Sequence, residues 1–474
     1  MMKRGDELEL RIESYGAEGR GIARNDGFVV FVRGGVPGDT VRGRLTKVSR
    51  NFAEASVIAV TAPSAFRVAP RCRYFGTCGG CAWQHLAYDA QCAFKRQQVI
   101  DALERIGGFA GITVQPTLGA ADAFYYRNKM EFSFGVRWLT REELDAAPPR
   151  DPSVSPVERF ALGLHIPQRF DRVLDVEECF LQSPESTAIV NAVRTFARDR
   201  ELTIYSTLTH TGYLRNLVIR EGKHTGDRMV NIVTSEEQPV LMRELCGLLV
   251  AQFPSITTVV NNITTRKSQV ATGDREVVLH GPGYIRERIG HRVYKISANS
   301  FFQTNTLQAE RLYDTALEMA GLQASDTVFD LYCGTGTIAL HIAAHAASVV
   351  GIESVADAVD DARRNAEEQG VRNCTFVLGD LKERIVDDNA WLAEHGAPAV
   401  MMIDPPRAGM HPRVVERIRE MHPQRIVYVS CNPATQARDL KVLCAGGAYT
   451  IDAVQPVDMF PHTMHVENVV RLSS

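Results

Sequence analysis

Cys431, in Ser430-Cys431-Asn432-Pro433, and Asp404, in Asp404-Pro405-Pro406-Arg407, each close an apolar run, so a thiol and a carboxylate are expected at two strand ends. A thiolate is suited to nucleophilic addition at an electron-poor ring carbon. Carbon 5 of uracil needs such help: it is a poor nucleophile until something adds at carbon 6, after which an enolate forms that can attack an electrophilic methyl group. The carbon 5 proton must then leave before the thiol can, which requires a general base. Glu467, in Met464-His465-Val466-Glu467, is the candidate base, with His462 and His465 as rivals in the loop before it. An unperturbed thiol near pKa 8.5 is only about 3% ionised at neutral pH, so local activation of Cys431 is expected. The competing reading, a buried structural cysteine, suits Cys333 better, which lies near glycines without such company.

A second set of residues points to the partner of that chemistry. Asp330-Leu331-Tyr332-Cys333-Gly334-Thr335-Gly336-Thr337 follows an apolar strand and opens a helix, and Gly334 and Gly336 let the backbone approach a nucleotide-like ligand. The full dinucleotide fingerprint needs a third small residue, which Ile338 does not supply. Glu353 ends the next strand, where a carboxylate can accept both ribose hydroxyls, and Asp380 ends the one after, on the adenine side. Glycine, acid and acid at three successive strand ends resemble the S-adenosylmethionine fold. Adenine N6-methyltransferases also carry Asp-Pro-Pro, but an aromatic residue normally follows, where this chain has Arg407. Cytosine-5 enzymes place Pro-Cys after the fourth strand, which Asp404-Pro405-Pro406 does not provide.

These residues must be held by regular elements. From Ala298 onward strand and helix patterns alternate: strands at Thr327–Asp330, Ser348–Ile352, Thr375–Leu378, Ala399–Ile403 and Arg425–Val429, with helices at Ile338–Ala344 and Ala356–Glu368. Such alternation predicts a parallel sheet covered on both faces, with ligands beyond the carboxyl ends of its strands. The first residues differ: Leu8–Ile12, Phe28–Val32 and Val41–Leu45 are short apolar runs bounded by Gly, Asp or Pro, a small β-barrel pattern. The segment Tyr15–Ala23 looks like the glycine-rich start of a TRAM domain, an RNA-binding barrel of the oligonucleotide-binding type. Between them lie a helical stretch near Tyr88–Ile106 and mixed strands, with Thr140–Pro156 as a surface loop. The fold class is α/β, in three domains: residues 1–61, an OB/TRAM-like barrel; 62–295, a central α+β domain; and 296–474, a Rossmann-like methyltransferase domain.

The chain has 474 residues, 45% hydrophobic and 23% charged, the balance of a globular protein. No apolar run of about 18 residues occurs, so no membrane span is expected, and the amino terminus lacks the apolar stretch of a secretory signal, pointing to the cytoplasm. Net charge is −3, yet residues 1–150 hold 21 Lys+Arg against 16 Asp+Glu, a basic excess where RNA-holding modules are expected. Ten cysteines in a reducing compartment stay unpaired, so the cluster Cys72, Cys78 and Cys81, spaced C-x5-C-x2-C, needs a metal or catalytic explanation.

Taken together, Phe302-Gln303-Thr304-Asn305, the Asp330–Gly336 stretch, Asp404–Arg407, Ser430–Pro433 and His465-Val466-Glu467 make the chain resemble, over nearly its whole length, the bacterial uracil-5 RNA methyltransferases. The branch it resembles acts on 23S ribosomal RNA and carries a TRAM domain and an iron-sulfur cluster. The resemblance implies S-adenosylmethionine contacts from Gln303, Tyr332, Thr337, Glu353, Asp380 and Asp404, with Cys431 as nucleophile and Glu467 as base. Tyr332 and Asp380 depart from the family's usual Phe and Asn. The resemblance also implies Cys179 as fourth ligand beside Cys72, Cys78 and Cys81, with Cys92 a weaker alternative. Four thiolates suit zinc equally well on ligand type, and only the resemblance favours 4Fe-4S. A uracil within folded RNA must be flipped out to reach the thiol, and Arg127, Lys129 and Phe301 are candidate RNA contacts. A transfer RNA substrate and a catalytically silent RNA-binding assembly factor are the alternatives, and a monomer is expected.

Overall fold

A computed structural model describes residues 2–16, 18–139, 160–167, 169–268, 270–387 and 394–474. The expected Thr140–Pro156 loop lies outside the described residues. Alternating apolar and polar residues close β1 (Glu7–Tyr15), β2 (Gly21–Asn25), β3 (Phe28–Arg33), β4 (Thr40–Val48) and β5 (Phe52–Ala62) into a barrel, in the order β1-β2-β3-β5-β4. Leu10, Ile12, Val30, Val32 and Val41 point inward and are buried, each contributing about 1.5–3 kcal/mol of apolar burial.

Helix α1 (Tyr88–Ala102) follows the cysteine segment. Next comes a seven-stranded sheet of β6 (Lys129–Val136), β7 (Phe160–Ile166), β8 (Arg169–Asp175), β9 (Leu214–Glu221), β10 (Arg228–Thr234), β11 (Thr258–Ile263) and β12 (Arg275–His280), ordered β12-β11-β10-β9-β6-β7-β8. Helices α2 (Pro184–Asp199) and α3 (Pro239–Gln252) share a core with it, Ile189 and Phe196 of one and Leu245 and Leu249 of the other meeting Phe132 and Ile232. A hairpin, β13 (Tyr284–Ile289) and β14 (Arg292–Ser297), leads into the last unit.

That unit is a second seven-stranded sheet. Its strands β15 (Thr327–Leu331), β16 (Ser348–Glu353), β17 (Cys374–Leu378), β18 (Val400–Ile403), β19 (Arg425–Ser430), β20 (Thr450–Val457) and β21 (Glu467–Ser473) run in the order β17-β16-β15-β18-β19-β21-β20. The first five pair in parallel and β21 inserts antiparallel against β19. Helices α4 (Thr306–Ala320), α5 (Thr337–Ile342) and α6 (Ala356–Glu368) join the core on one face, and α7 (Pro412–Met421) and α8 (Pro433–Leu443) that on the other. Burial on both faces explains why β18 and β19 read as continuous apolar runs. Although α1 precedes the central sheet in the chain, its Val99 and Ala102 pack into this second core. Among the described residues no helix is long and apolar enough to cross a membrane.

Candidate functional site

The tetrad around Cys431 is a strand-to-helix junction. Ser430 ends β19 and its hydroxyl accepts the Asn432 N–H at 3.1 Å. Asn432 caps α8, its side chain accepting the Ala434 N–H at 3.1 Å, and Pro433 opens the helix, where a missing N–H is harmless. Cys431 is thereby fixed at the carboxyl edge of the sheet, half-buried. The Asp404–Arg407 loop is tied to the same junction, the Arg407 carbonyl accepting from the Asn432 amide at 3.0 Å and the Thr435 hydroxyl at 3.3 Å. Glu467, the first residue of β21, comes in from the other side and is buried.

The electrostatics tie these groups together. Burial first, and then Asp404, push Glu467 up to about 8, with Arg407 partly opposing. Burial pushes Asp404 up to about 7, although part of its surface still opens to the cleft. Cys431 goes up to about 11, through burial and then Glu467, while the Arg407 guanidinium pulls the other way by charge and by a hydrogen bond. Burial and the neighbouring carboxyl groups thus raise the thiol by more than Arg407 lowers it, opposite in direction to the expected activation. Arg407, which the sequence distinguished only as a departure from an aromatic residue, is a cation acting on both Cys431 and Glu467.

The two rival bases are accounted for. His462 is buried, lies against Phe124 with the rings tilted and their centroids 4.3 Å apart, and meets the Gln91 amide at 3.2 Å, and burial lowers it to about 4. His465 is also lowered to about 4, by burial and then by Arg407, Lys95 and Arg127. A base that protonates near 8 accepts a proton at neutral pH far better than one near 4. The loop before Glu467 is anchored by a fully buried ion pair, Lys95 to Asp458 at 2.5 Å, to which Tyr88 adds a hydrogen bond at 2.9 Å. Removing one member would strand the other charge, a loss of about 3–5 kcal/mol.

Around the expected cofactor position, Tyr332, Gly334 and Gly336 all have positive φ, so the chain turns sharply after β15. A side-chain carbon at Gly334 would meet nothing within 4 Å, whereas at Gly336 it would stand 2.8 Å from the Phe376 ring. Gly334 thus faces open space and Gly336 permits close packing of α5 on the sheet. Glu353 accepts the Gly334 N–H at 3.2 Å and those of Ser354 and Val355 at 2.7 and 2.9 Å. Asp380 accepts the Lys382 N–H at 2.7 Å, and Thr337 meets the Tyr313 hydroxyl at 3.2 Å. Gln303 is held through its carbonyl, which accepts from Asn128 at 2.7 Å. Asn305 caps α4 and donates to the Met459 carbonyl at 3.1 Å, linking Phe302–Asn305 to the loop before Glu467.

Cys72, Cys78, Cys81 and Cys179 line one cavity together with Phe75, Leu164 and Leu181. Each sulfur faces N–H donors: Tyr74 and Phe75 at Cys72, Gly80 at Cys78 (3.3 Å), the Gln84 amide at Cys81 (3.2 Å), and Leu181 and Gln182 at Cys179. Nevertheless, among the described residues no three His, Cys, Asp or Glu side chains are arranged to hold a metal ion. Cys92 lies elsewhere: a side-chain carbon at Gly119 would lie 3.2 Å from its sulfur. Cys333 packs against β16, its sulfur 2.9 Å from where a Gly351 side chain would start.

Of the candidate RNA contacts, Phe301 is 70% exposed and Lys129 pairs with Glu131. Arg127 lies over Tyr126, its N–H bonded to the Leu181 carbonyl at 2.9 Å, and its charge acts on Cys81 and Cys179. The sequence reading passed over Arg71, an exposed residue whose guanidinium lies 4.2 Å from the Phe180 ring centre and 5.1 Å from that of Tyr125.

A family model described as tRNA (Uracil-5-)-methyltransferase matches residues 270–474, and one for the TRAM domain matches residues 2–58. An uncharacterised RNA methyltransferase of Chlorobaculum tepidum is 45% identical over 471 residues, covering 98% of this chain and 96% of that protein. One from Porphyromonas gingivalis is 44% identical over 467 residues, covering 98% and 99%. Among solved structures, the Pyrococcus abyssi tRNA (uracil-54, C5)-methyltransferase in complex with S-adenosyl-L-homocysteine aligns with a TM-score of 0.74 and 29% identity, over 98% of this chain and 100% of that one.

Proposed function

This chain belongs to the RNA methyltransferase family that joins a TRAM domain to a uracil-5-methyltransferase domain, and on that premise we propose that it methylates carbon 5 of a specific uridine in 23S ribosomal RNA, as a monomer, through a bond between Cys431 and carbon 6. It is an S-adenosylmethionine-dependent enzyme. The observation that carries the proposal is the meeting of Cys431, Glu467, Asp404 and Arg407 at the carboxyl ends of β18 and β19 and the start of β21.

Gln303, Tyr332, Gly334, Gly336, Thr337, Glu353, Asp380 and Asp404 would hold S-adenosylmethionine. Bound there, it supplies the electrophilic methyl group. Cys431 must first lose its proton to solvent, and the Arg407 guanidinium favours the thiolate that remains. A Glu467 still carrying its proton at neutral pH does not repel that thiolate. Addition at carbon 6 places the electron pair on the ring, and carbon 5 can then take the methyl. Glu467, once its own proton has passed to solvent, removes the carbon 5 proton as carboxylate, the electron pair left behind forms the carbon 5–carbon 6 double bond, the bond between sulfur and carbon 6 breaks, and the thiolate returns. A base near 8 in a desolvated setting suits that step.

Four thiols with N–H donors turned to each sulfur fit an iron-sulfur cluster, since such donors are a recurrent means of tuning cluster sulfurs. Four thiolates would suit a tetrahedral zinc equally well on ligand type, and it is the resemblance to the 23S ribosomal RNA branch that favours the 4Fe-4S reading. The cluster would brace the loops carrying Cys72–Cys81 and Cys179. Exposed Phe301 suits stacking on an unpaired base, with Arg127 and Lys129 behind it. The barrel and cysteine set favour ribosomal RNA, whereas the likeness to the Pyrococcus abyssi enzyme favours transfer RNA. Mapping 5-methyluridine in both RNAs from cells lacking the protein decides between them.

The two roles separate by mutation. Cys431→Ala should bind RNA and cofactor, form no covalent species and transfer no methyl group. Glu467→Gln should add and methylate but stall, leaving methyl-labelled RNA bonded to Cys431 as a denaturation-resistant band. Methylation by Cys431→Ala, or normal turnover by Glu467→Gln, rejects the assignment.

A further inference from the structure

Trp83 is fully buried where four parts of the chain meet. Its indole N–H donates to the Gly19 carbonyl in the loop after β1 at 3.1 Å, and its ring stacks on Tyr15 with centroids 4.9 Å apart. Its backbone N–H and that of Ala82 both donate to the His462 carbonyl, at 2.9 and 2.8 Å. Its own carbonyl accepts from Gln91 of α1 at 3.1 Å, and Gln91 also accepts the His462 N–H at 2.8 Å. Ala82 is the residue after Cys81. Gly19 closes the ring from the barrel side: with φ at +68°, it leaves room such that a side-chain carbon there would lie 2.9 Å from Met464 Cβ. Met464 is three residues before Glu467.

We infer that Trp83 is a positioning residue, through which the docked barrel and the cysteine loop together hold the 458–466 segment and so place Glu467 for the elimination step. The inference rests on Glu467 being the base. Residues 458–466 contain no helix or strand, so their backbone polar groups depend on neighbours for partners. His462, at φ 64°, sits in a conformation that surrounding contacts must maintain. Cys431 is held differently, by the Asn432 cap and the Arg407 carbonyl, and none of those bonds involves Trp83. Loosening the junction should therefore displace the base while leaving the nucleophile in place. The barrel becomes part of the catalytic apparatus in addition to holding RNA.

The test uses the full chain with its metal site loaded, as Gly19→Ala, which crowds Met464, and as Trp83→Phe, which keeps the ring but loses the indole N–H. Total RNA from cells lacking the protein and methyl-labelled S-adenosylmethionine supply a single turnover, and deuterium uptake is measured alongside. Expected are elimination slowed by about tenfold to a hundredfold with the covalent adduct accumulating, methyl transfer altered by less than about threefold, and uptake raised in 458–466 but not in 431–443. Unchanged uptake in 458–466, equal slowing of both steps, or loss of RNA affinity alone would overturn the inference. Glu467→Gln runs beside them: if it clears the adduct at the normal rate, the base reading and the elimination half fall together, and the uptake result alone decides whether the junction holds the loop.

Discussion

At Cys431 and at Cys81, burial pushes a thiol up to about 11, and both side chains are half-buried. The neighbours differ. Around Cys431 stand Glu467, Asp404 and Arg407, brought from separate strand ends, so proton donors, acceptors and a cation surround one sulfur. Around Cys81 stand three more cysteines, backbone and amide N–H groups, Arg127 and, lining the same cavity, Glu178, which acts on Cys72 and is not among the groups that shift Cys81 most. A raised thiol reports desolvation at both places and does not tell nucleophile from ligand. The company of the sulfur separates the two proposed roles: carboxyl groups and a cation from other strand ends suit a bond made and broken, and a set of thiols with N–H donors suits a group held.

The largest effect should come from exchanging that one atom at each site. Cys431→Ser should lower methyl transfer by at least about 10⁴-fold, as loss of a nucleophile does elsewhere, with the iron content of anaerobically prepared protein unchanged at about four per chain. Cys81→Ser should lose the iron and the brown colour while S-adenosylmethionine affinity stays nearly unchanged. Stoichiometric zinc and no iron in the unmutated protein would remove the cluster from the comparison. Next in size, deleting residues 1–60 should weaken RNA binding by about tenfold or more at moderate salt and flatten its salt dependence, with cofactor affinity preserved. Equal salt slopes with and without the barrel would reject an RNA role for it.

A smaller effect concerns the cation. Arg407 lowers both Cys431 and Glu467, so Arg407→Gln should raise both and move the alkaline-rising limb of the single-turnover rate to higher pH, with a lower rate at pH 7. A limb that stays in place while RNA affinity falls would make Arg407 a phosphate contact instead.

How much of this could be read from the sequence follows the same division. The C-terminal sheet was legible because strands buried on both faces leave continuous apolar runs: β16 and α6 lie where the sequence puts them, within a residue. In the barrel only β1, β3 and β4 showed as apolar runs. β2 lies inside a glycine-rich stretch and β5 alternates Ala, Ser and Glu with its apolar residues, which weakens its signal. The helices α2 and α3 were not anticipated, since the central region read simply as mixed strands. At the reaction site, residue types and strand ends pointed to the groups that meet, because Asn432 and Pro433 are local signals. The upward shift of Cys431 was not legible, because desolvation and the approach of Glu467 come from packing at a distance in sequence. Trp83 gave no signal at all: its partners Gly19, Gln91 and His462 are far apart in the chain.

The smallest expected effect is on stability. Glu467 protonates at about 8 in the folded chain, above its ordinary value of 4.5, owing first to burial and then to Asp404. The folded state therefore keeps a proton that the unfolded state has released, and linkage makes stability fall as pH rises from about 4.5 to about 8, by at most about 1.4 kcal/mol per pH unit for one group. Glutamine carries no such proton. Glu467→Gln should accordingly melt at a temperature near that of the unmutated protein at pH 5 and at a higher one at pH 8, the gap opening across that window and levelling above it. Cys431→Ser should open no gap there, because its thiol shifts between 9.0 and about 11. Thermal melts of the three proteins at pH 5, 6.5 and 8 suffice. A constant difference between Glu467→Gln and the unmutated protein would mean that Glu467 is already ionised at neutral pH, and the contrast between a poised base and an inert thiol at rest would then be lost.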